Sequence, residues 1–98
     1  MENNYEVVNQ VGEIVSPSVM DGEEVALAVV KYIDEDKYGI ELDEDLTTCS
    51  YDDFMGTICD NFISMQYPEI EQIGNCRFDT EAEALKLAKQ ITKILVFC

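Results

Sequence analysis

The sequence contains no histidine and no tryptophan, and only 6 of its 98 residues are Lys or Arg. Histidine is the commonest general base and a common neutral metal ligand, so its absence argues against the chemistry that those roles support. Phosphate contacts need Lys and Arg. The low count therefore excludes direct nucleic-acid binding through a basic surface and argues against adhesion to an anionic membrane.

Long hydrophobic runs and clustered cysteines are also missing. The longest nearly apolar run, residues 25–30, is too short to span a bilayer, and the first residues carry no basic and apolar segments of the kind found in a signal peptide. The 4 cysteines are far apart and form no Cys-x-x-Cys pair, which is typical of reduced thiols. We therefore expect a cytoplasmic protein with reduced cysteines.

The chain is rich in acidic residues. Asp and Glu together number 21, and the formal net charge is -15, although 47% of the residues are hydrophobic. That apolar fraction is too high for an acidic disordered segment, and a chain of this length has room for one hydrophobic core. We expect one folded domain over residues 1–98.

The spacing of the apolar residues predicts a mainly α fold, a compact domain of four helices over residues 2–15, 22–37, 50–65 and 80–95. A short strand over residues 76–78 is expected beside them, and an α+β fold is the alternative. Within the first range the apolar steps are mostly three and four, but a β-hairpin turning near Gly12 would also suit its Val and Ile residues. The second range is apolar almost all round, which favours a central buried helix over a buried strand.

The two later helices have recognisable start signals. Ser50 can cap the third helix, and Asp52 and Asp53 follow it in the first turn, where negative charge is favoured. Thr80 followed by Glu83 matches a capping box, in which each side chain satisfies the other residue's backbone. These signals predict where both helices begin.

An acidic stretch occupies residues 34–45, which hold seven carboxylates and one lysine. Ile40 and Leu42 alternate with Glu41, and we expect them to hold a loop against the core while the acids face water. The calcium-loop pattern fails in this stretch because Tyr38 stands at a ligand position. We expect no metal and no cofactor.

Catalytic motifs are absent from the chain. It contains no nucleophile elbow, phosphate loop or dinucleotide fingerprint, and a cysteine without a histidine partner is a poor nucleophile. Paired carboxylates catalyse hydrolysis only in a cleft that raises the pKa of one of them, and no pair in this sequence is singled out. The sequence indicates a protein that is not an enzyme.

The unusual feature is a long segment of unrelieved negative charge. Residues 38–76 contain nine acids and no Lys or Arg. Such a surface repels itself unless a cationic partner neutralises it, and solubility alone needs a net charge of only about 2–8 in magnitude. We expect the acids to attract and pair with a basic protein and the neighbouring tyrosines to anchor it. The predicted partner-binding residues are Asp34, Glu35, Asp36, Tyr38, Glu41, Asp43, Glu44, Asp45, Tyr51, Asp52 and Asp53.

In size and charge the chain resembles the small acidic bacterial immunity proteins, which neutralise toxic nucleases. That resemblance implies an immunity or inhibitor protein that blocks a basic toxin or nuclease by electrostatic occlusion, with no direct contact to nucleic acid or membrane. An alternative within the same class is an inhibitor that mimics duplex DNA, with carboxylates spaced like phosphates along one surface.

A second resemblance covers residues 25–62, including Val25-Ala26-Leu27-Ala28-Val29-Val30, Lys37-Tyr38-Gly39-Ile40-Glu41-Leu42-Asp43-Glu44-Asp45 and Leu46-Thr47-Thr48. This segment resembles acyl carrier proteins, in which an acidic recognition helix ends in an aromatic-Gly-Ile-Glu-Ile segment and is followed by an acidic loop and a further helix. The resemblance implies an acyl-carrier-like protein of a biosynthetic pathway as the alternative function. The Asp-Ser-Leu motif that carries the prosthetic group would fall near Asp21-Gly22-Glu23, where there is no serine.

Overall fold

The architecture combines a three-stranded antiparallel sheet with helices and is not a helical bundle. The computed structural model describes residues 4–98. Its strands are β1 (Tyr5–Gln10), β2 (Leu27–Tyr32) and β3 (Lys37–Leu42), in the spatial order β1-β2-β3. Three helices follow the sheet in the chain: α1 (Tyr51–Asp60), α2 (Ile63–Gln66) and α3 (Glu81–Val96). The fold is α+β, so the prediction of a mainly α four-helix domain is wrong.

The expected first helix is a strand that belongs to a long hairpin. Residues 2 and 3 of the predicted range 2–15 lie outside the described residues. After β1 the chain continues beside β2, because Val11 donates to Leu27 and a bridge joins Val15 to Val25. The hairpin therefore turns within residues 16–24, which include a 3₁₀ turn at Ser18–Met20, and not near Gly12.

The expected second helix is replaced by β2, a tight turn and the start of β3. Five of the six residues of β2 are buried, so this strand is covered on both faces and shows no polar alternation. The turn contains Asp36 with a φ of 53°, the left-handed conformation that Asp tolerates. Ile40 and Leu42 are buried in β3, so they belong to a strand and not to a loop.

The two later helices are present, with one interruption. The Ser50 side chain accepts from the Asp53 N–H at 3.1 Å and starts α1, and Thr80 accepts from the Glu83 N–H at 3.3 Å and starts α3. The expected helix over residues 50–65 is broken at Phe62, whose φ is 59°. A 3₁₀ turn at Pro68–Gln72 follows α2, and the expected strand over 76–78 is reduced to one bridge between Phe78 and Tyr38.

Helix α3 packs across β2 and β3 on one face of the sheet, which we call the helix face. The strand register places Leu27, Val29, Ile40 and Leu42 on that face, where they join Ala84, Ala88, Ile91 and Leu95 in the core. Opposed residues of antiparallel strands point to the same side. Consequently Ala28, Val30, Tyr32, Gly39 and Glu41 lie on the other side. We call it the open face because α3 does not pack on it, although Ala28, Val30, Tyr32 and Gly39 are buried there as well.

Candidate functional site

A tight turn after β3 brings acidic residues to the edge of the open face. The Asp43 N–H donates to the Ala26 carbonyl at 2.8 Å, and the Thr47 N–H donates to the Asp43 carbonyl at 2.8 Å. The Thr47 hydroxyl also accepts from the Ala26 N–H and donates to the Ala26 carbonyl, both at 3.0 Å. These bonds fasten residues 43–47 to Ala26, just before β2, and Glu44 and Asp45 remain exposed.

Asp43 is buried and supports this turn from within. It is only 3% exposed, and its carboxylate accepts from the Asp45 N–H at 3.1 Å and from the Gln10 side chain at 3.0 Å. A carboxylate that is satisfied in this way has a structural role in the turn. The expectation that the acids of residues 34–45 all face water is therefore wrong for Asp43.

A groove of about 520 Å³ lies between the open face and the start of α1. A second cavity of about 120 Å³ continues it toward β1 and shares Tyr5, Leu42 and Glu44 with it. We call the two together the acidic groove. The residues that line it are Tyr5, Val7, Glu41, Leu42, Asp43, Glu44, Asp45, Thr47, Cys49, Ser50, Tyr51, Gly74 and Asn75. No Lys or Arg is among them.

Tyr51 forms the wall of the groove on the side of α1. Its hydroxyl donates to the Ile73 carbonyl at 3.1 Å, which fixes the ring while 38% of the residue stays exposed. Burial raises the pKa of this hydroxyl above its ordinary value, and the negative charges of Glu41 and Asp52 act in the same direction. Tyr51 is thus a rigid, partly exposed aromatic residue in negative surroundings.

Glu41 forms the floor of the groove at the centre of the open face. Its carboxylate accepts a hydrogen bond from the buried Tyr32 hydroxyl. Burial raises the pKa of Glu41 above its ordinary value, with a smaller contribution from Glu44, although the Tyr32 bond and Arg77 oppose the shift. Burial and the same carboxylate raise the pKa of the Tyr32 hydroxyl strongly.

Arg77 connects the floor of the groove to the turn between β2 and β3. Its guanidinium stacks on the Tyr32 ring at 3.7 Å from the centroid, and its Nε donates to the Glu35 carboxylate at 3.1 Å. The Tyr5 ring meets the Tyr32 ring edge-on, with centroids 5.8 Å apart. Stacked and edge-to-face contacts of this kind hold aromatic side chains in defined positions.

The predicted site residues separate into two groups at opposite ends of β3. Glu35 and Asp36, in the turn before β3, form ion pairs with Arg77 and Lys31, and Asp34 is exposed beside them. Tyr38 lies on the helix face, and the centroid of its ring is 5.9 Å from the Lys31 ammonium.

The second group surrounds the acidic groove. Glu41, Glu44, Asp45 and Tyr51 line it, while Asp52 and Asp53 are exposed in the first turn of α1 beside Tyr51. The three ion pairs within residues 4–98 use Lys31, Lys37 and Arg77, and none of them involves an acid of this group. No ion pair in the described part of the chain therefore neutralises the acids of the groove, although the positive charge of Arg77 favours the ionised form of Glu41 and opposes the rise of its pKa.

Sequence reasoning missed Tyr5, Tyr32, Asn75 and Arg77. The two tyrosines fell in segments expected to be helical, so their shared position on the open face followed only from the strand register. Asn75 and Arg77 lie in a connector for which the sequence predicts only a short strand over residues 76–78. No signal short of the correct sheet could have placed them beside Glu41.

Comparison with protein-family models, with curated proteins and with solved structures finds no match to this chain. Within residues 4–98 no group of three or more Cys, Asp or Glu side chains is arranged to hold a metal ion. No helix in that part of the chain has the length and apolarity needed to cross a membrane. Ser18, the serine nearest the position where a carrier motif would fall, donates its hydroxyl to the Cys98 carbonyl at 2.8 Å.

Proposed function

We propose that this protein binds a cationic segment of another protein in the acidic groove and thereby inhibits that partner, which is a basic toxin or nuclease. The observation that carries the proposal is the composition of the groove: four carboxylates and two tyrosines line it without any Lys or Arg. A nuclease carries basic side chains where it contacts phosphate. Occupying those side chains with carboxylates blocks the nucleic acid from the same site.

The two residue types in the groove have different tasks. Exposed carboxylates such as Glu44 accelerate encounter with a basic surface and pair with it at the rim. Tyr51 supplies an aromatic surface that is already fixed by its bond to Ile73, so little conformational entropy is lost on binding. Charge would therefore govern the association rate, and the tyrosines would govern how long the complex lasts.

The test uses one variant within the groove and one matched variant outside it. Glu44→Lys reverses a charge in the groove, and Asp60→Lys makes the same change at the exposed end of α1. Wild type and both variants are immobilised and exposed at low salt to a lysate of the source cells. We expect wild type and Asp60→Lys to retain a basic protein that Glu44→Lys does not retain.

Inhibition is then measured on the retained protein itself. Its nuclease or toxic activity should fall on titration with wild type and stay unchanged with Glu44→Lys. Binding should also weaken steeply as salt rises, because the Debye length shrinks from about 10 Å at 0.1 M to about 3 Å at 1 M. A retained protein that keeps full activity under saturating wild type, or equal retention by all three proteins, would contradict the proposal.

A further inference from the structure

The two outer edges of the sheet differ in how they are covered. Beside β3, the Gly74 N–H donates to the Ile40 carbonyl at 2.7 Å, and Tyr38 and Phe78 exchange backbone hydrogen bonds at 2.9 and 2.7 Å. The connector before α3 therefore closes that edge. Beside β1, on the side away from β2, no strand lies within residues 4–98.

The edge of β1 has few of the features that prevent edge pairing. It contains neither Lys nor Pro, and Val7 is 51% exposed. The pairing with β2 shifts at Val8, so one β-bulge interrupts an otherwise regular edge. Natural sheets usually protect an exposed edge with inward charges, prolines or a covering loop. Here the protection comes from the bulge and from two acidic residues, Glu6, which lies opposite Lys31 of β2, and Glu13, which lies beyond the end of β1.

Negative charge on an edge discriminates between partners. A second copy of this chain carries the same net charge of -15 and would bring a second acidic groove against this edge, which is electrostatically unfavourable. A segment rich in Lys or Arg would instead gain opposite-charge pairs along the same edge. The edge therefore fits one kind of occupant, an extended cationic segment.

The edge of β1 is continuous with the acidic groove. Val7 lines the smaller cavity together with Glu44 and Asp45. Side chains of a strand alternate between the two sides of a sheet. A segment added beside β1 would place every second side chain over the open face, where it reaches those carboxylates.

We propose that β1 accepts an extended cationic segment of the partner as a fourth strand of the sheet, with alternate basic side chains directed into the acidic groove. This inference rests on the proposed function and specifies its binding mode. The backbone of β1 provides affinity, and the groove selects the charge of the segment.

The probes are peptides in which Lys and Val alternate. One is unmodified, and two carry the same sequence with N-methyl groups on every Val or on every Lys. Only one set of alternate backbone nitrogens faces β1 in an added strand. We therefore expect one methylated peptide to bind about tenfold more weakly than the parent or worse, since it loses several hydrogen bonds at once.

A second readout locates the contact on the protein. Hydrogen exchange of the backbone amides in β1 should slow on binding of the parent peptide, while exchange in α1 stays unchanged. Glu44→Lys should weaken all three peptides, and Asp60→Lys should weaken them much less.

The outcomes separate the two proposals. If the parent binds and depends on Glu44, but both methylated peptides bind equally well and exchange in β1 is unchanged, strand addition is overturned while groove binding stands. If no peptide binds, or if binding does not depend on Glu44, strand addition and the proposed function both fail.

Discussion

At the scale of single residues, the most informative side chain is Glu41. It is the one carboxylate that lies on the open face, lines the acidic groove and also accepts a hydrogen bond from a buried tyrosine. A carboxyl group whose pKa is raised by burial is less favourable in its charged form. Ionisation of Glu41 at the floor of the groove therefore costs the fold part of its stability.

That cost predicts a specific pH dependence for the variant Glu41→Gln. Because the folded pKa of Glu41 is raised, its contribution to stability is fully present below the unfolded pKa and is lost as pH rises through the folded value. We expect the free energy of unfolding of the variant, relative to wild type, to increase from pH 4 to pH 7. Urea denaturation at a series of pH values measures this difference.

For Tyr32→Phe, at the same site, we expect the opposite pH dependence of the stability relative to wild type. It removes the donor to Glu41 and leaves the carboxylate without that partner, which costs about 1–3 kcal/mol when the group is charged. The loss of stability should be larger at pH 7 than at pH 4. Equal losses at both pH values would show that the hydroxyl does not stabilise the ionised carboxylate.

A third residue-scale prediction concerns Gly39. A Cβ at this position would collide with the Tyr32 ring and lie 2.9 Å from the Cys76 carbonyl oxygen. We expect Gly39→Ala to lower the free energy of unfolding by about 1–3 kcal/mol, because the neighbours are buried and cannot move apart cheaply.

Gly56→Ala is the matched control for that substitution. No heavy atom lies within 4 Å of its added Cβ, and the residue is on the exposed side of α1. Alanine should stabilise the helix by about 0.5–1 kcal/mol. Thermal or urea denaturation of both variants measures the two changes in the free energy of unfolding. Changes of the same sign would contradict the close packing described around Gly39.

At the scale of elements, the break between α1 and α2 is the least expected feature of the helices. Phe62 adopts a φ of 59° and is 64% exposed. Its left-handed backbone conformation is therefore strained, and its side chain gains little stability from burial. We expect Phe62→Gly to raise the free energy of unfolding by about 0.5–1 kcal/mol. Glycine relieves the strain, although it also gains entropy in the unfolded chain.

Met65→Gly is the comparison within the same turn. Met65 is 78% exposed but helical, so glycine there should lower the free energy of unfolding by about 1 kcal/mol. Chemical denaturation of both variants checks the pair. A loss of stability in Phe62→Gly as large as in Met65→Gly would refute the account of strain at Phe62.

The elements differ in how far the sequence could reveal them. Helices α1 and α3 carry both an amphipathic period and a capping residue, Ser50 or Thr80, so local chemistry was enough. Strand β2 is covered on both faces and therefore has no period to detect. In β3 the alternation of Ile40, Glu41 and Leu42 was a strand signal, but the many acids around it made it resemble a loop.

The incorrect prediction of a helix in place of β1 has a more precise cause. The register shift at Val8 puts an extra residue into the strand. As a result the side chains that pack against the core, at Val8, Val11 and Val15, are three and four positions apart. A strand with a bulge thus reproduces the spacing of a helix. The groove was unpredictable for the same reason, since its walls come from elements that only the correct strand pairing brings together.

At the scale of the whole molecule, the large excess of acidic residues predicts electrostatic self-repulsion. The net charge is -15, and the three ion pairs in the described residues are all exposed or partly exposed, so they contribute little. We expect the melting temperature to rise by several degrees between about 0.01 M and about 1 M NaCl, as the Debye length falls from about 30 Å to about 3 Å.

The same titration with KCl separates screening from specific ion binding. General screening predicts equal shifts for the two salts at equal ionic strength. A shift confined to one cation would indicate a bound ion instead. A melting temperature that falls with added salt would mean that the ion pairs outweigh the repulsion, and that the surface is electrostatically stable without a partner.

The positive charges that remain are distributed very unevenly. Lys86, Lys89 and Lys93 are exposed on α3, which packs on the helix face, whereas the acidic groove is on the open face. We therefore expect these two sets of charges to contribute an electric moment across the sheet. In the field of a cationic protein this moment exerts a torque, which rotates the groove toward the partner before the two surfaces touch. A larger share of random collisions then begins in a productive orientation.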